Sequence, residues 1–217
     1  MGERLLSAEE VEEEVTELDR TYPDSHYYLN FKTPIDLLVT AILSAQTHDT
    51  VTNSVTPMLF KKYKTADDYA SLNQDSFAKE IGRVSFPAAK SKNIISACKI
   101  IRDVYGGKVP NKMDELVELP GIGRKTANTI LINAYHIVEG IPVDTWVIKL
   151  GYRLGMTREK KPEKIEKYLM ERVQKRYWNK ITYIFKIHGR AICKSVPLCS
   201  KCPINDICPK NGVIKRL

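Results

Sequence analysis

The segment Leu119-Pro120-Gly121-Ile122-Gly123-Arg124-Lys125-Thr126-Ala127 carries a lysine just behind a Gly-x-Gly turn, and Pro142-Val143-Asp144-Thr145 places an aspartate nineteen residues further on. A neutral lysine amine is a nucleophile that forms Schiff bases with carbonyl groups. To be neutral it must fall from a reference pKa of about 10.4, through burial or nearby positive potential. A carboxylate fixed in advance can stabilise a cation that develops during a reaction. The two glycines permit positive φ and remove the Cβ that would obstruct another backbone. A helix that begins near Arg124 turns its unpaired N–H groups outward, toward a site suited to phosphate. Each residue also has a plainer reading. Lys125 could be a solvated helix residue, Asp144 the N-cap of a helix running through Val147, Leu150 and Leu154, and Gly-x-Gly an ordinary corner between helices. The occurrence of both beside one hairpin is what points to chemistry.

Cys193, Cys199, Cys202 and Cys208 follow the pattern C-x5-C-x2-C-x5-C, with Cys98 alone inside a predicted helix. Four thiols this close together suit a metal centre better than disulfides in an intracellular protein. A structural zinc site usually draws its four cysteines from two close pairs, and only Cys199–Cys202 is such a pair. The spacing also differs from the bacterial ferredoxin run. Cys98 reads as a buried core thiol.

These groups need a scaffold, and the composition describes one. At 217 residues, 43% hydrophobic and 28% charged, the chain can bury one good core or two small ones. No apolar run reaches the roughly 18–20 residues of a membrane span. The start, Met1-Gly2-Glu3-Arg4, leads into an acidic stretch without an apolar core, so no secretory signal is expected and a cytoplasmic location is. The net charge is +8 but unevenly spread: residues 1–22 hold eight acids against Arg4 and Arg20, whereas 158–217 hold sixteen Lys and Arg against five acids. A basic body behind an acidic leader fits a surface for a polyanion.

Periodicity predicts an all-α protein. Ser7-Ala8-Glu9-Glu10 matches a capping box, and Val11, Val15 and Leu18 continue it as a helix that ends before Pro23. Pro34 opens a helix apolar on most faces (Leu37, Leu38, Ala41, Ile42, Ala45), the pattern of a buried helix. Further helices are expected at about 50–62, 66–71, 75–82, 90–105, 112–118, 124–137, 144–155, 162–175 and 178–191. Pro87, Gly106-Gly107, Pro110, Pro120-Gly121 and Gly140-Ile141-Pro142 read as the turns between them.

With these motifs in hand, the chain from about residue 27 to 210 resembles the endonuclease III family, helix-hairpin-helix DNA glycosylases with an associated lyase activity. The resemblance implies a helical barrel over 23–137 with the hairpin at about 112–137. It implies a discontinuous iron–sulfur domain from 1–22 plus 138–217, and DNA across the cleft between the two. Lys125 occupies the position of the nucleophile that attacks C1′ of a flipped nucleotide, and Asp144 that of the carboxylate supporting charge at the sugar. Pro120, Gly121, Ile122 and Gly123 match the hairpin that holds the DNA backbone. Gln46, in Leu43-Ser44-Ala45-Gln46, matches the side chain that fills the gap left by the flipped nucleotide. Asp49 would lie near the pocket mouth, with Ser85–Lys90 as a second insertion loop. The four cysteines match the ligands of a [4Fe–4S] cluster, preceded by the matching His188-Gly189-Arg190, and Lys194 in the first cysteine loop is a candidate DNA contact.

The implied function is excision of oxidised pyrimidines from duplex DNA and cleavage of the resulting abasic site, by a single chain acting alone. The alternatives are a monofunctional uracil, thymine or adenine glycosylase, and a non-catalytic iron–sulfur DNA-binding module. The first generally lacks a lysine at position 125 and the second needs neither Lys125 nor Asp144. Four departures from the family pattern stand out. Five residues rather than six separate the first two cysteines, and Trp146 replaces a usual His behind Asp144, where it packs in the core or reshapes the pocket. The Lys–Asp spacing is one residue longer, around Glu139-Gly140, and Ser85-Phe86-Pro87 replaces a Gly-Leu/Phe-Tyr segment.

Overall fold

The structure, a computed structural model, describes residues 3–217; Met1 and Gly2 of the start read above lie outside the described residues. Among the described residues the regular structure is entirely helical. The chain forms two compact units, one of Tyr28–Ile137 and the other of the segments up to Tyr27 and from Val138 to Leu217.

The Tyr28–Ile137 unit is organised around α2 (Pro34–Ser44). Thr33 caps it: Thr33 Oγ1 accepts from the Asp36 N–H at 3.2 Å, and Asp36 Oδ2 accepts from the Thr33 N–H at 3.1 Å. Pro34 fits the first turn, where its missing N–H has no partner to lose. Every residue from Ile35 to Leu43 is buried. Against α2 pack α3 (Asp49–Lys62), α6 (Pro87–Val104) and α8 (Arg124–Tyr135). Two short helices, α4 (Ala66–Ala70) and α5 (Gln74–Glu80), pack on α6, and α7 (Met113–Val117) on α8. Tyr63, Tyr69 and Phe77 form an aromatic cluster with ring centroids 5.2–6.1 Å apart. Cys98 is fully buried among these helices, and burial pushes its thiol up to about 12, so it is a neutral core residue.

The other unit joins α1 (Ala8–Thr21) to α9 (Thr145–Arg153), α10 (Pro162–Arg172) and α11 (Ile181–Ala191). The expected capping box opens α1, with Ser7 Oγ accepting from the Glu10 N–H and the Glu10 carboxylate accepting from the Ser7 N–H. Val11, Val15 and Leu18 meet Ile141, Val147, Leu150 and Phe185 in one core.

Most boundaries fall within a few residues of the sequence reading, and three of the differences have a visible cause. Pro87, read as a turn between helices, is instead the first residue of α6, which starts three residues before the expected 90. α8 stops at Tyr135 because His136 turns left-handed at φ +57° and caps it. α11 begins at Ile181 rather than 178, since a 3₁₀ turn at Lys175–Tyr177 precedes it.

One buried residue works against the fold. Glu14 lies on the core face of α1 with no exposed surface, and neither carboxyl oxygen has a hydrogen-bond partner. Burial first, and then the charges of Glu10 and Glu13, push its carboxyl up to about 9. A folded pKa above the unfolded one means the folded state holds the proton more tightly. Stability from this group is then complete below the unfolded pKa of about 4.3 and is lost as pH rises toward 9. Replacing Glu14 with Met is expected to stabilise the protein by about 1–3 kcal/mol at pH 8 and by much less at pH 4. Urea unfolding at the two pH values checks this, and an equal effect at both would contradict it.

Candidate active site and cysteine centre

Residues 118–123 join α7 to α8, and the junction is anchored by its apolar members. Leu116, Leu119 and Ile122 are buried, the Leu119 N–H donates to the Leu116 carbonyl, and the Ile122 N–H donates to the Leu119 carbonyl. This leaves Pro120 half-buried and Gly121 and Gly123 at the surface. The two glycines have different reasons to be there, which corrects the expectation that both use positive φ. Gly121 has φ +85°, and a Cβ on it would stand 3.0 Å from Asn93 Cβ. Gly123 has φ −96° and ψ 173°, a conformation open to any residue. A Cβ there would meet nothing within 4 Å. Its bareness therefore serves no need of the protein's own packing and keeps the approach to α8 open. No side chain caps the start of that helix, the end whose dipole favours an anion.

Lys125 is the second residue of α8 and is exposed, while Ala127–Ile132 on the same helix are buried. The buried face is fixed against α2, which fixes the rotation of the turn carrying Lys125. Gln46 and Asp49 belong to the same unit. Gln46 is exposed in the turn after α2 with φ +53°, and Asp49 is half-buried as the first residue of α3.

Asp144 belongs to the other unit, where it is held from both sides. Ile141 and Val143 before it are buried, and Thr182 Oγ1 donates to the Pro142 carbonyl at 2.7 Å. After it comes α9, which Asp144 caps: its Oδ1 accepts from the N–H groups of Trp146 and Val147, both at 2.9 Å. The plain N-cap reading is thus correct and does not exhaust the residue. Both bonds fall on Oδ1, so the cap fixes the carboxylate's place while engaging only one of its oxygens. Trp146 is half-buried against the core and lies against α11, where a Cβ on Gly189 would stand 2.1 Å from its Cε3. Lys149 Nζ stands 4.9 Å from the centre of the Trp146 ring.

All four cysteines of the C-terminal motif line one pocket, together with Arg153, His188 and Lys210. Cys193 and Cys199 are buried and Cys202 and Cys208 half-buried. Burial raises the Cys202 thiol and pushes Cys208 up to about 12, so thiolates here require a compensating cation. Among the described residues, no three His, Cys, Asp or Glu side chains converge tightly enough to hold a single ion. Two groups approach the sulfurs: Arg153, which the sequence did not single out, and His188 of the segment matched to the family. Arg153 Nη1 lies 3.5 Å from Cys193 Sγ and donates to the carbonyls of Cys193 and Lys194, while Nη2 donates to that of Ser195. Lys194 itself is exposed. His188 is buried and driven down to about 4 by that burial, so its ring is neutral at pH 7. Its Nδ1 lies 2.9 Å from the Tyr22 hydroxyl and its Nε2 3.8 Å from Cys202 Sγ. A neutral ring offers one donor and one acceptor, so Nε2–H toward sulfur and Nδ1 accepting from Tyr22 satisfies both.

Residues 39–175 match the HhH-GPD superfamily of base excision DNA repair proteins. The chain is 40% identical to endonuclease III of Synechocystis sp. over 193 residues, 88% of each chain. It is 36% identical to that of Bacillus subtilis over 220 residues, 98% of this chain and all of the relative. This chain belongs to the endonuclease III family. Among solved structures, a trapped endonuclease III–DNA covalent intermediate matches with a TM-score of 0.90 and 35% identity, over 95% of this chain and 97% of that one. A thermostable thymine-DNA glycosylase shares the fold at TM-score 0.83 and 18% identity, over 93% and 96% of the two chains. Among the described residues no helix is long and apolar enough to cross a membrane.

The contrast between the two glycines is testable. Gly121→Ala is expected to cost about 1–3 kcal/mol of stability, through its left-handed backbone and the contact with Asn93. Gly123→Ala is expected to leave the stability within about 0.5 kcal/mol of wild type and to weaken duplex binding several-fold. Thermal melts paired with fluorescence-anisotropy titrations separate the two. Gly123→Ala binding as tightly as wild type would show that the open approach is not used.

Proposed function

We propose that this chain is a bifunctional DNA glycosylase/AP lyase that removes oxidised pyrimidines from duplex DNA and then cuts the abasic strand. The observation that carries this is Lys125 in the first turn of α8, directly behind an uncapped, glycine-lined hairpin. The family relation supports it, since a covalent DNA intermediate is known for an endonuclease III that this chain matches along its length. The fold is shared with a thymine-DNA glycosylase, so it does not by itself distinguish a lyase, and it is Lys125 that favours the bifunctional reading.

The damaged nucleotide must leave the stack, because C1′ is shielded inside the duplex. Pro120–Gly123 and the start of α8 hold the backbone through phosphate contacts that carry no sequence information, with Lys194 as a further contact. Gln46 fills the vacated space, and Asp49 stands near the mouth of the pocket. Lys125 Nζ then bonds to C1′ as the C1′–N bond to the base breaks, and the base leaves with the electron pair and takes up a proton. Positive charge that develops across C1′ and O4′ is stabilised by the Asp144 carboxylate. The sugar ring opens to an iminium, which withdraws electrons so that a C2′ proton can leave and the 3′ phosphate depart with the C3′–O bond pair. Water then hydrolyses the iminium and returns Lys125 as the free amine.

Cys193, Cys199, Cys202 and Cys208 would hold a [4Fe–4S] cluster. The lining of one pocket by all four thiols and the donors of Arg153 and His188 aimed at sulfur support that assignment. When bound, the cluster supplies positive charge and a cross-link for residues 193–208. Iron and acid-labile sulfide in equal amounts in anaerobically purified protein are expected, and Cys202→Ser is expected to lose both and to melt lower. Zinc in place of iron would overturn this assignment.

The decisive test of the reaction is borohydride trapping on a duplex with one abasic site. Wild type is expected to form a covalent adduct. Lys125→Gln is expected to form none while binding the duplex, and Asp144→Asn to slow adduct formation by about 10²-fold or more. Cleavage by Lys125→Gln at the wild-type rate would overturn the mechanism.

A further inference from the structure

Apart from the glycines and His136, which caps α8, two exposed residues of the Tyr28–Ile137 unit sit in left-handed backbone, Gln46 at φ +53° and Phe86 at φ +57°. That conformation is unfavourable for a residue with a Cβ and persists only where the surroundings impose it. Between the two segments lies one buried cation. Lys90, in the first turn of α6 and 5% exposed, donates from Nζ to the Leu43 carbonyl at 2.7 Å, the Ala45 carbonyl at 2.6 Å and Thr47 Oγ1 at 2.7 Å. An ammonium has three N–H donors, and all are used. Thr47 Oγ1 also accepts from the Ser85 N–H at 3.1 Å. One lysine and one hydroxyl therefore join the Gln46 turn to the Phe86 turn. The last turn of α2 has no basic residue of its own, so Lys90 also places a positive charge where the helix end favours one. Burial pulls Lys90 down to about 8, while three close oxygens favour its charged form, so it is an ammonium at neutral pH.

We propose that Lys90 is a positioning residue for base extrusion: through Thr47 it holds the Gln46 and Phe86 turns in one register, so that both side chains enter the base stack as a unit. The proposal rests on the glycosylase reading above. Gln46 would occupy the gap, and Phe86, a large apolar side chain 63% exposed, would wedge beside it, as apolar side chains do when they unstack a base step. Neither Lys90 nor Thr47 needs to touch DNA.

The test reads insertion separately from chemistry. The probe is a duplex with a tetrahydrofuran abasic analogue opposite 2-aminopurine, whose fluorescence rises when it is unstacked. Wild type is expected to raise the signal. Lys90→Met is expected to bind undamaged duplex like wild type while losing most of that rise, and to excise thymine glycol at least about tenfold more slowly in single turnover. Adding Gln46→Ala to Lys90→Met is expected to cost little more, because an unheld Gln46 no longer contributes. Should Lys90→Met fail to fold, Thr47→Val removes the shared acceptor at a half-buried position, and Thr47→Ser should restore the signal. A normal fluorescence rise in Lys90→Met or Thr47→Val would overturn the proposal, as would multiplicative effects of Lys90→Met and Gln46→Ala. Absence of cleavage by wild type at a natural abasic site would instead overturn the parent reading.

Discussion

A helix without a polar side must be enclosed, and α2 is such a helix. Its nine consecutive buried residues oblige α3, α6 and α8 to pack around it, and burial of this kind is the largest favourable contribution to a fold of this size. The functional residues of the Tyr28–Ile137 unit depend on that enclosure. α8 presents Lys125 because its opposite face lies against α2, and Gln46 sits where α2 ends. Lys90 of α6 compensates the carbonyls that the end of α2 leaves unpaired. The chemistry is thus placed at the margin of a hydrophobic contact, on first and last turns that packing has already oriented.

The other unit meets a different constraint. Two of its cysteines, Cys202 and Cys208, stand in surroundings that resist thiolate charge, and donors approach the sulfurs: a guanidinium at Cys193 and a neutral imidazole at Cys202. Arg153 ends the helix that Asp144 begins. One nine-residue helix therefore carries the proposed carboxylate at its start and the first cysteine's charge partner at its end. The shorter first cysteine interval fits this arrangement, since Arg153 gathers the carbonyls of three successive residues, Cys193 to Ser195.

Much of this was legible in the chain because the signals are local. The capping box at Ser7, the proline at the head of α2, the unbroken apolar run behind it and the Gly-x-Gly hairpin each lie within a dozen residues. The misreadings share a cause. Pro87 has the same identity whether it ends a turn or opens a helix, and only the course of α6 distinguishes the two. Gly123 looked like a second conformational glycine, and its ordinary backbone is visible only in three dimensions. The bonding of Lys90 and Arg153 has no signature in the sequence, since their partners lie about forty residues away and a lysine or arginine gives no sign there of burial. Long-range polar pairing has no periodicity to betray it.

Trp146 and Gly189 show how such pairing constrains descent. The indole lies where any side chain at 189 would have to begin, so that position is closed while the tryptophan remains. A smaller ring at 146 would reopen it and leave a void in its place. Lineages carrying this tryptophan should therefore keep glycine at 189, whereas loss of the tryptophan lifts that requirement without demanding a change there. The constraint runs in one direction, from the ring at 146 to the bare backbone at 189, more than forty residues further along the chain.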